Sequence, residues 1–280
     1  MARGTHYANR QFLPQLPAIV GSDGIGALDD GRLIGFGGMR PPYGSMAELV
    51  AIPMKHQVPV PEGVDAVTAA AVPSSTLTSL FPLKWGVKLQ PDETVLINGA
   101  TGFAGKLAVQ VAKLLGAKRI VATGRNEEPL RQLPSLGADA VINLRQSDTR
   151  LATAFKREAG ESGYHVILDF LWGRPTELLV ASLVPDELAF ARHNIRFVQI
   201  GEAAGPRISL PASALRTSGL EITGAGSGLT LAAIAEGMSQ VWEWIKAGKL
   251  RADIECAPLK DVERAWKQSD LHGKRVVILP

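Results

Sequence analysis

Residues 94–115 read TVLINGATGFAGKLAVQVAKLL, and this stretch decides the fold. Its first five residues, Thr94–Asn98, form an apolar run that predicts a buried strand. Residues 103–115 carry apolar side chains three and four positions apart, which predicts a helix. Glycines at 99, 102 and 105 lie in the turn and at the start of that helix. A strand, a glycine turn and a helix in direct succession form a βα unit.

The same pattern continues along the chain. Further strands are predicted at 119–123, 140–144, 165–169, 196–201 and 220–224, with helical or turn-rich segments between them. Such an alternation predicts an α/β fold with a doubly wound parallel sheet.

The two ends of the chain have a different character. Residues 1–85 contain many glycines and prolines and short apolar runs such as 46–52, which predicts strands joined by turns. After the sheet, we predict a helix at 231–246, a short helix at 261–268 and a last strand at 275–279. We therefore divide the chain into domains at 1–85 and 86–228 and a closing segment at 229–280.

Composition limits the partners. The 280 residues carry 30 Lys and Arg against 27 Asp and Glu, a net charge of +3, and no run of like charges gathers the excess into a patch. We therefore expect no nucleic-acid and no membrane partner. The one cysteine, Cys256, excludes an internal disulfide and fits a reducing compartment, so we expect a cytoplasmic location. No signal peptide and no membrane span are predicted.

The glycine turn is the first candidate site. Small residues between a strand and a helix let the backbone approach a diphosphate at the helix N-terminus. The turn departs from the usual G-x-G-x-x-G pattern because Ala100 stands at its first glycine. The alternative is a glycine-rich turn that binds nothing. The candidate residues are Gly99, Ala100, Thr101, Gly102, Phe103, Ala104 and Gly105.

A triphosphate-binding P-loop is a competing interpretation of Gly105 and Lys106. That loop needs a glycine five residues earlier and a Ser or Thr after the lysine to hold magnesium. The chain has Ala100 and Leu107 at those positions, so the P-loop is excluded.

The end of the second strand indicates the cofactor. An NAD site would place Asp or Glu there to bind the ribose hydroxyls, whereas this chain has Gly124, Arg125 and Asn126. Arginine matches the 2′-phosphate of NADPH, so NADPH is the predicted cofactor. In the alternative, Arg125 is a solvated loop residue and Asn126 caps the next helix.

Several reaction motifs are absent. None of the three tyrosines has a lysine four residues later, as short-chain reductases require. The H-E-x-x-H motif of zinc hydrolases and the G-x-S-x-G motif of serine hydrolases are also missing.

Segments along nearly the whole chain resemble one known family. They are PAIVGSDGIG at 17–26, YGSMAE at 43–48, VPVPEG at 58–63, AAA at 69–71 with TLT at 76–78, the glycine turn, LGAD at 136–139 and GKRVVI at 273–278. Together they resemble the medium-chain dehydrogenase/reductases, in particular the zinc-independent quinone oxidoreductase branch that includes zeta-crystallin. The resemblance implies a GroES-like substrate domain at 1–85, a Rossmann NADP-binding domain at 86–228 and a C-terminal return to the first domain.

Two departures from the family pattern matter. Ser22 and Asp23 stand where zinc-dependent members have a His-Glu pair, and residues 73–75 replace a later cysteine ligand, so no metal is expected. The chain also starts inside the family's first domain, and we expect that domain to be N-terminally incomplete.

The resemblance implies an NADPH-dependent oxidoreductase that transfers hydride to a quinone or to the activated C=C bond of an enone. Tyr7 and Tyr43 are the candidate proton donors, although each tyrosine could equally serve packing. A homodimer that pairs strand 220–224 across a two-fold axis is expected. Two alternatives stay open: an enoyl-thioester reductase of the same superfamily, and a catalytically silent NADPH-binding protein. Further cofactor-binding residues are expected at Thr78, Asp169, Phe170, Leu171, Ile200, Gly201, Gly224, Ala225 and Gly226.

Overall fold

The computed structural model describes residues 16–39, 42–185, 191, 193–268, 271 and 273–280. Contacts divide the chain into two compact units. The first comprises the described residues of Met1–Pro73 with Ile245–Ala247 and Asp253–Pro280. The second comprises Ser74–Trp244 and Gly248–Ala252.

The first unit contains two small sheets. Strands β1 (Asp23–Ala27), β2 (Leu33–Gly37) and β3 (Gln57–Pro59) form an antiparallel sheet in that order. A 3₁₀ turn at Met54–His56 precedes β3. The strand predicted at 46–52 is wrong, because this segment is irregular and lies largely at the surface, with Leu49 92% exposed.

Helix α1 (Ala66–Phe81) was not predicted, and the expectation of strands alone up to residue 85 is therefore wrong. A π-helical turn, Pro82–Gly86, continues it. The helix carries Pro73 in its interior, and its apolar residues do not gather on one face, so the helical period is weak in the sequence. By length and composition Ala66–Gly86 could cross a membrane, but 61% of its most apolar window is buried inside the protein. Core helices of globular proteins share this property.

Strands and helices alternate regularly in the second unit. In chain order they are β4 (Thr94–Asn98), α2 (Phe103–Leu114), β5 (Arg119–Gly124), α3 (Glu127–Leu136), β6 (Ala140–Asn143), α4 (Asp148–Ala159), β7 (Val166–Asp169), α5 (Gly173–Leu183), β8 (Ile195–Gln199), α6 (Ala212–Thr217), β9 (Leu220–Gly224) and α7 (Leu231–Lys246). The chain then forms β10 (Ile254–Pro258), a 3₁₀ turn at Leu259–Asp261, α8 (Val262–Lys267) and β11 (Arg275–Leu279). Strands β10 and β11 pair in parallel.

The six strands of the second unit form one parallel sheet in the order β6-β5-β4-β7-β8-β9. This arrangement confirms the predicted α/β fold with a doubly wound Rossmann sheet. Its central strands are buried on both faces, and Val95, Leu96 and Ile97 have no exposed surface. The chain order reverses between β4 and β7, and ligands of such sheets bind at the carboxyl ends of the strands at this point.

The division between the units differs from the sequence-based domains. It falls between Pro73 and Ser74, inside α1, twelve residues before the boundary placed at 85–86. The second unit likewise continues past residue 228 to include most of α7. The physical reason is that a continuous helix joins the units, so the sequence has no linker at the boundary.

Candidate cofactor site

The turn after β4 has the geometry of a phosphate-binding loop. Gly99 has a φ of +93°, a left-handed conformation that favours glycine, and it turns the chain sharply as the strand ends. Ala100, at the position of the usual first glycine, is fully buried and its N–H donates to the Thr123 carbonyl at 2.7 Å. Gly102 is the N-cap of α2. The turn therefore places the N-terminus of α2 at the carboxyl edge of the sheet, where backbone N–H groups attract anions.

The two later glycines have different surroundings. A Cβ on Gly105 would lie 2.4 Å from the Gly99 carbonyl oxygen and 2.7 Å from the Ala100 Cα, so a side chain there is excluded by backbone. A Cβ on Gly102 would meet nothing closer than 3.8 Å. Gly105 is thus required for close packing of helix on turn, while Gly102 leaves open space in front of it. In glycine turns of this kind, the second glycine lets the backbone approach a diphosphate.

A cleft of about 350 Å³ opens over the turn. Among the described residues, Arg125 is the one charged side chain in its lining, and no carboxylate contributes. Its apolar walls come from residues after β6, β7 and β8. The lining residues are Gly99, Thr101, Gly102, Phe103, Ala104, Gly105, Gly124, Arg125, Asn126, Leu144, Phe170, Leu171 and Ala203.

Asn126 and Arg125 lie together at one end of the cleft. Asn126 is the N-cap residue of α3, but its side chain makes no capping hydrogen bond. Its Oδ1 instead accepts a hydrogen bond of 3.4 Å from Nη2 of Arg145. Asn126 is thus the residue at the cap position of this helix, as the alternative interpretation has it, but its amide contacts an arginine instead of the helix N–H groups.

A buried polar network lies below the cleft and connects three strand ends. The Gly99 N–H donates to Oγ1 of Thr123 at 3.0 Å, and that hydroxyl donates to Oδ1 of Asn98 at 2.7 Å. The Asn98 amide in turn donates to Oδ1 of Asp169 at 2.9 Å. The first glycine of the turn is thereby coupled to the end of β7, which lies far from it in the sequence.

Asp169 holds the turn between β7 and α5. Its fully buried carboxylate accepts hydrogen bonds from Oγ1 of Thr176 at 2.7 Å and from the backbone N–H groups of Leu171 and Trp172 at 3.0 and 3.2 Å. Burial raises the pKa of Asp169, while these hydrogen bonds oppose the rise. Trp172 has a φ of +54°, which is unfavourable for a side chain of its size. The carboxylate thus stabilises a strained turn whose first residues line the cleft.

The structure places the predicted site residues in three groups. Eleven of them line the cleft: the glycine-turn residues other than Ala100, the segment from Gly124 to Asn126, and the pair Phe170 and Leu171. Ala100 and Asp169 lie buried beneath it. The others are not among the lining residues of this cleft: Thr78, Ile200, Gly201, Gly224, Ala225 and Gly226.

The sequence missed two lining residues, Leu144 and Ala203. Leu144 follows β6 and its N–H donates to the Gly124 carbonyl at 2.8 Å, while Ala203 lies past β8 with its N–H 3.4 Å from the Phe170 carbonyl. Both follow strands that the sequence did identify. Their proximity to the cleft depends on strand order, which no local pattern shows.

The two predicted proton donors are not tested by the geometry. Tyr43 lies in the first unit and is 69% exposed. Tyr7 lies outside the described residues. Both assignments stay predictions.

The segment that resembles the zinc site carries different chemistry. Oγ of Ser22 donates to Oδ1 of Asp23 at 3.0 Å, and both residues are at least partly exposed. In the described ranges of the chain, no group of three His, Cys, Asp or Glu side chains is placed to hold a metal ion.

A second hollow, of about 270 Å³, lies at the opposite edge of the sheet. It is lined by residues at the amino ends of β7 and β8, among them Gly163 and Tyr164 before β7 and Ile195, the first residue of β8. Because ligands of doubly wound sheets bind at the carboxyl edge, the cleft over the glycine turn is the candidate site.

Comparison with known families agrees with this geometry. The family model described as zinc-binding dehydrogenase matches residues 104–247, slightly more than half of the chain. The chain belongs to the zinc-binding dehydrogenase family. The sequence-based resemblance to the quinone oxidoreductase branch of the medium-chain dehydrogenase/reductases is confirmed.

Individual relatives of this zinc-binding dehydrogenase family member are distant. "Quinone oxidoreductase-like protein 2" of Bos taurus is 27% identical over 274 residues, which cover 93% of this chain and 74% of that protein. "Trans-enoyl reductase pgmF" of Aspergillus terreus is 26% identical over 234 residues, 81% of this chain and 62% of that protein. The crystal structure of the quinone oxidoreductase from Thermus thermophilus, also solved in complex with NADPH, is 28% identical. It superposes with a TM-score of 0.68 and covers 90% of this chain and 77% of that one.

Proposed function

We propose that the chain is an NADPH-dependent, zinc-independent oxidoreductase that transfers hydride to a quinone or to the activated C=C bond of an enone. One observation carries the proposal. The cleft over the glycine turn has Arg125 as its one charged lining residue, and no carboxylate of the described chain lines it. An open glycine turn binds a diphosphate, and an arginine in place of an acid favours the 2′-phosphate of NADPH over the free ribose of NADH.

Different residues of the cleft would bind different parts of the cofactor. The backbone N–H groups at the start of α2 would bind the diphosphate, and Arg125 the 2′-phosphate. Phe170 and Leu171 would keep water from the middle of the cofactor, because they supply an apolar wall. Bound NADPH would supply the hydride. We assign the nicotinamide half to Thr78, Ile200, Gly201, Gly224, Ala225 and Gly226 on the family resemblance.

The chemistry explains why no metal is required. In a quinone or an enone, the conjugated oxygen takes up the negative charge as carbon accepts hydride, so hydrogen-bond donors suffice to stabilise it. A proton then neutralises that charge, and Tyr7 or Tyr43 is the proposed donor. Ser22 and Asp23, at the position that resembles the zinc site, offer a hydroxyl and a carboxylate without a nearby His or Cys ligand in the described chain.

The names of the relatives support two substrate classes. The bovine and Thermus thermophilus proteins are named as quinone oxidoreductases or as like them, and the Aspergillus terreus protein as a trans-enoyl reductase. An enoyl-thioester reductase is therefore the second candidate. Both reactions add hydride to a carbon conjugated with a carbonyl, so the same cofactor cleft serves either.

Fluorescence titration followed by turnover tests the proposal. We expect NADPH to bind more tightly than NADH, and the protein to oxidise NADPH in the presence of a quinone or an enone, also after dialysis against a zinc chelator. Turnover with enoyl thioesters alone would select the second candidate. Binding without turnover on any of the three classes would indicate a silent NADPH-binding protein. Absence of NADPH binding would refute all three.

We also propose the setting in which the enzyme works. The first unit, with its small antiparallel sheet, would be a GroES-like substrate domain, and the enzyme would be a cytoplasmic homodimer without nucleic-acid or membrane partners. One cysteine in 280 residues and a net charge of +3 support this setting.

A further inference from the structure

Two arginines lie at the same corner of the cofactor cleft. Arg125 directly follows β5, and Arg145 comes two residues after the end of β6. The two strands are neighbours in parallel, and Gly124 lies opposite Asn143 in their register. Both arginines therefore leave the carboxyl edge of the sheet side by side, although they belong to different βα units of the sequence.

Arg145 is held toward the cleft by polar contacts. Its backbone N–H donates to Oδ1 of Asn143 at 2.8 Å, and its Nη2 lies 3.4 Å from Oδ1 of Asn126, which lines the cleft. The preceding residue, Leu144, also lines the cleft. A bond of 3.4 Å between an exposed guanidinium and a neutral amide is weak, so a phosphate can replace it at little cost.

Two acids that lie close to this corner in the sequence, Glu127 and Asp148, are paired with other arginines. Oε2 of Glu127 pairs with Arg131 at 3.0 Å, and Oδ2 of Asp148 pairs with Arg174 at 2.5 Å. Within the described ranges, neither Arg125 nor Arg145 has an ion-pair partner.

A third acid near this corner in the sequence is Glu128. It is exposed in the first turn of α3, three residues after Arg125, and carries a negative charge. By sequence position, its charge offsets that of Arg125. A second guanidinium makes the corner positive, which is what a phosphate group requires.

We propose that Arg145 is a second guanidinium that binds the 2′-phosphate of NADPH and so determines the preference for NADPH over NADH. This inference rests on the proposed function, and it adds to the proposed 2′-phosphate site a residue that does not line the cleft. In the bound state Arg145 exchanges the Asn126 amide for a phosphate oxygen, while Arg125 holds the phosphate from the neighbouring strand. Arginine suits this role because its planar fork donates two parallel hydrogen bonds to a phosphate.

Titration of NADPH and NADH with single-residue variants tests this assignment. Arg145→Ala should raise the Kd for NADPH about tenfold and leave that for NADH within about twofold, because only NADPH carries the extra phosphate. Arg145→Lys, which retains charge without the fork, should lie between Arg145→Ala and the wild type. The control is Arg150→Ala, which removes the same charge from an exposed position in α4. It should leave both affinities unchanged.

The double variant Arg125→Ala/Arg145→Ala shows whether the two residues act on one phosphate. We expect it to bind NADPH and NADH with nearly equal affinity, and the NADPH affinity of the wild type to fall more steeply with added salt than that of the double variant. If wild-type protein binds NADPH and Arg145→Ala binds it equally well, the role of Arg145 is refuted and the proposed function stands. If wild-type protein binds no NADPH, both fail.

Discussion

Two glycines three residues apart allow the phosphate-binding role of the turn to be separated from its structural role. Gly102→Ala places a methyl group in open space at a φ of −74°, which alanine adopts freely. We expect unfolding free energy within about 1 kcal/mol of the wild type, because alanine is a poor N-cap but introduces no clash. Affinity for NADPH should fall at least about tenfold, because the methyl group would occupy the diphosphate position.

Gly105→Ala is the counterpart of this variant. Its methyl group would meet the backbone at Gly99 and Ala100, so the fold itself should lose about 1–3 kcal/mol along with cofactor affinity. Urea unfolding and fluorescence titration measure the two effects. Unchanged NADPH binding by Gly102→Ala would show that the diphosphate does not lie against this turn.

A stacked histidine pair makes stability depend on pH. The rings of His165 and His193 lie 4.3 Å apart and nearly parallel, and Nδ1 of His165 accepts a hydrogen bond from the Thr94 N–H at 3.2 Å. Desolvation and then the charge of His193 lower the pKa of His165. Arg196 and the opposing carboxylates of Asp92 and Glu93 make smaller contributions.

The unfolded chain then binds the proton more readily than the folded one. The contribution of neutral His165 to the free energy of unfolding should therefore be fully present above pH 6.5. It should decline as the pH falls from there through the lowered pKa of the folded state. His165→Asn keeps an acceptor for Thr94 but does not titrate, and we expect a flatter profile of unfolding free energy between about pH 8 and about pH 5. An equally steep profile for this variant would place the titration elsewhere.

At the scale of the elements, the sequence predicts the helices and strands whose signals lie within one short stretch of the chain. Strands Thr94–Asn98 and Leu220–Gly224 and helix Leu231–Lys246 have the predicted bounds, because their apolar periods are strong and their ends are marked by turn residues. Helix α1 was missed since small residues surround Pro73 and no face is polar. Leu144 could not be assigned to the cleft, nor Arg145 placed beside it, because strand order, rather than local sequence, brings β6 beside β5.

The turn between β7 and α5 depends on one carboxylate. Asp169→Asn replaces an acceptor oxygen by an N–H₂ group that faces the donors of Thr176 and Trp172. We expect a loss of about 2 kcal/mol in unfolding free energy, together with weaker NADPH binding, because Leu171 would no longer be held against Gly99. Asp148→Asn is the matched control, since in the described chain that exposed carboxylate pairs only with exposed Arg174, and this substitution should cost less than about 1 kcal/mol. Equal stability of the two variants would contradict the role given to Asp169.

At the scale of the whole molecule, the sheet of the second unit ends at β9. This strand pairs with β8 on one side, and the described chain places no strand on its other side. A free strand edge presents unpaired N–H and C=O groups to any strand that meets it. Pairing of two copies of β9 about a two-fold axis would join the two sheets into one, as the proposed homodimer requires.

Gly224 gives a direct test of this pairing. The Ala225 N–H donates to the Gln199 carbonyl of β8, so the N–H of the preceding residue, Gly224, points to the free edge. A Cβ there would meet no atom within 4 Å, so a substitution at this position introduces no clash at Cβ. Gly224→Pro removes the outward N–H, and we expect light scattering to give the 29.8 kDa of one chain, with an unchanged circular dichroism spectrum. Gly224→Ala retains the N–H and should keep twice that mass, as should the wild type. A proline variant that stays dimeric would show that the subunits meet through another surface, because a strand pair at this edge could not keep its hydrogen bond at Gly224.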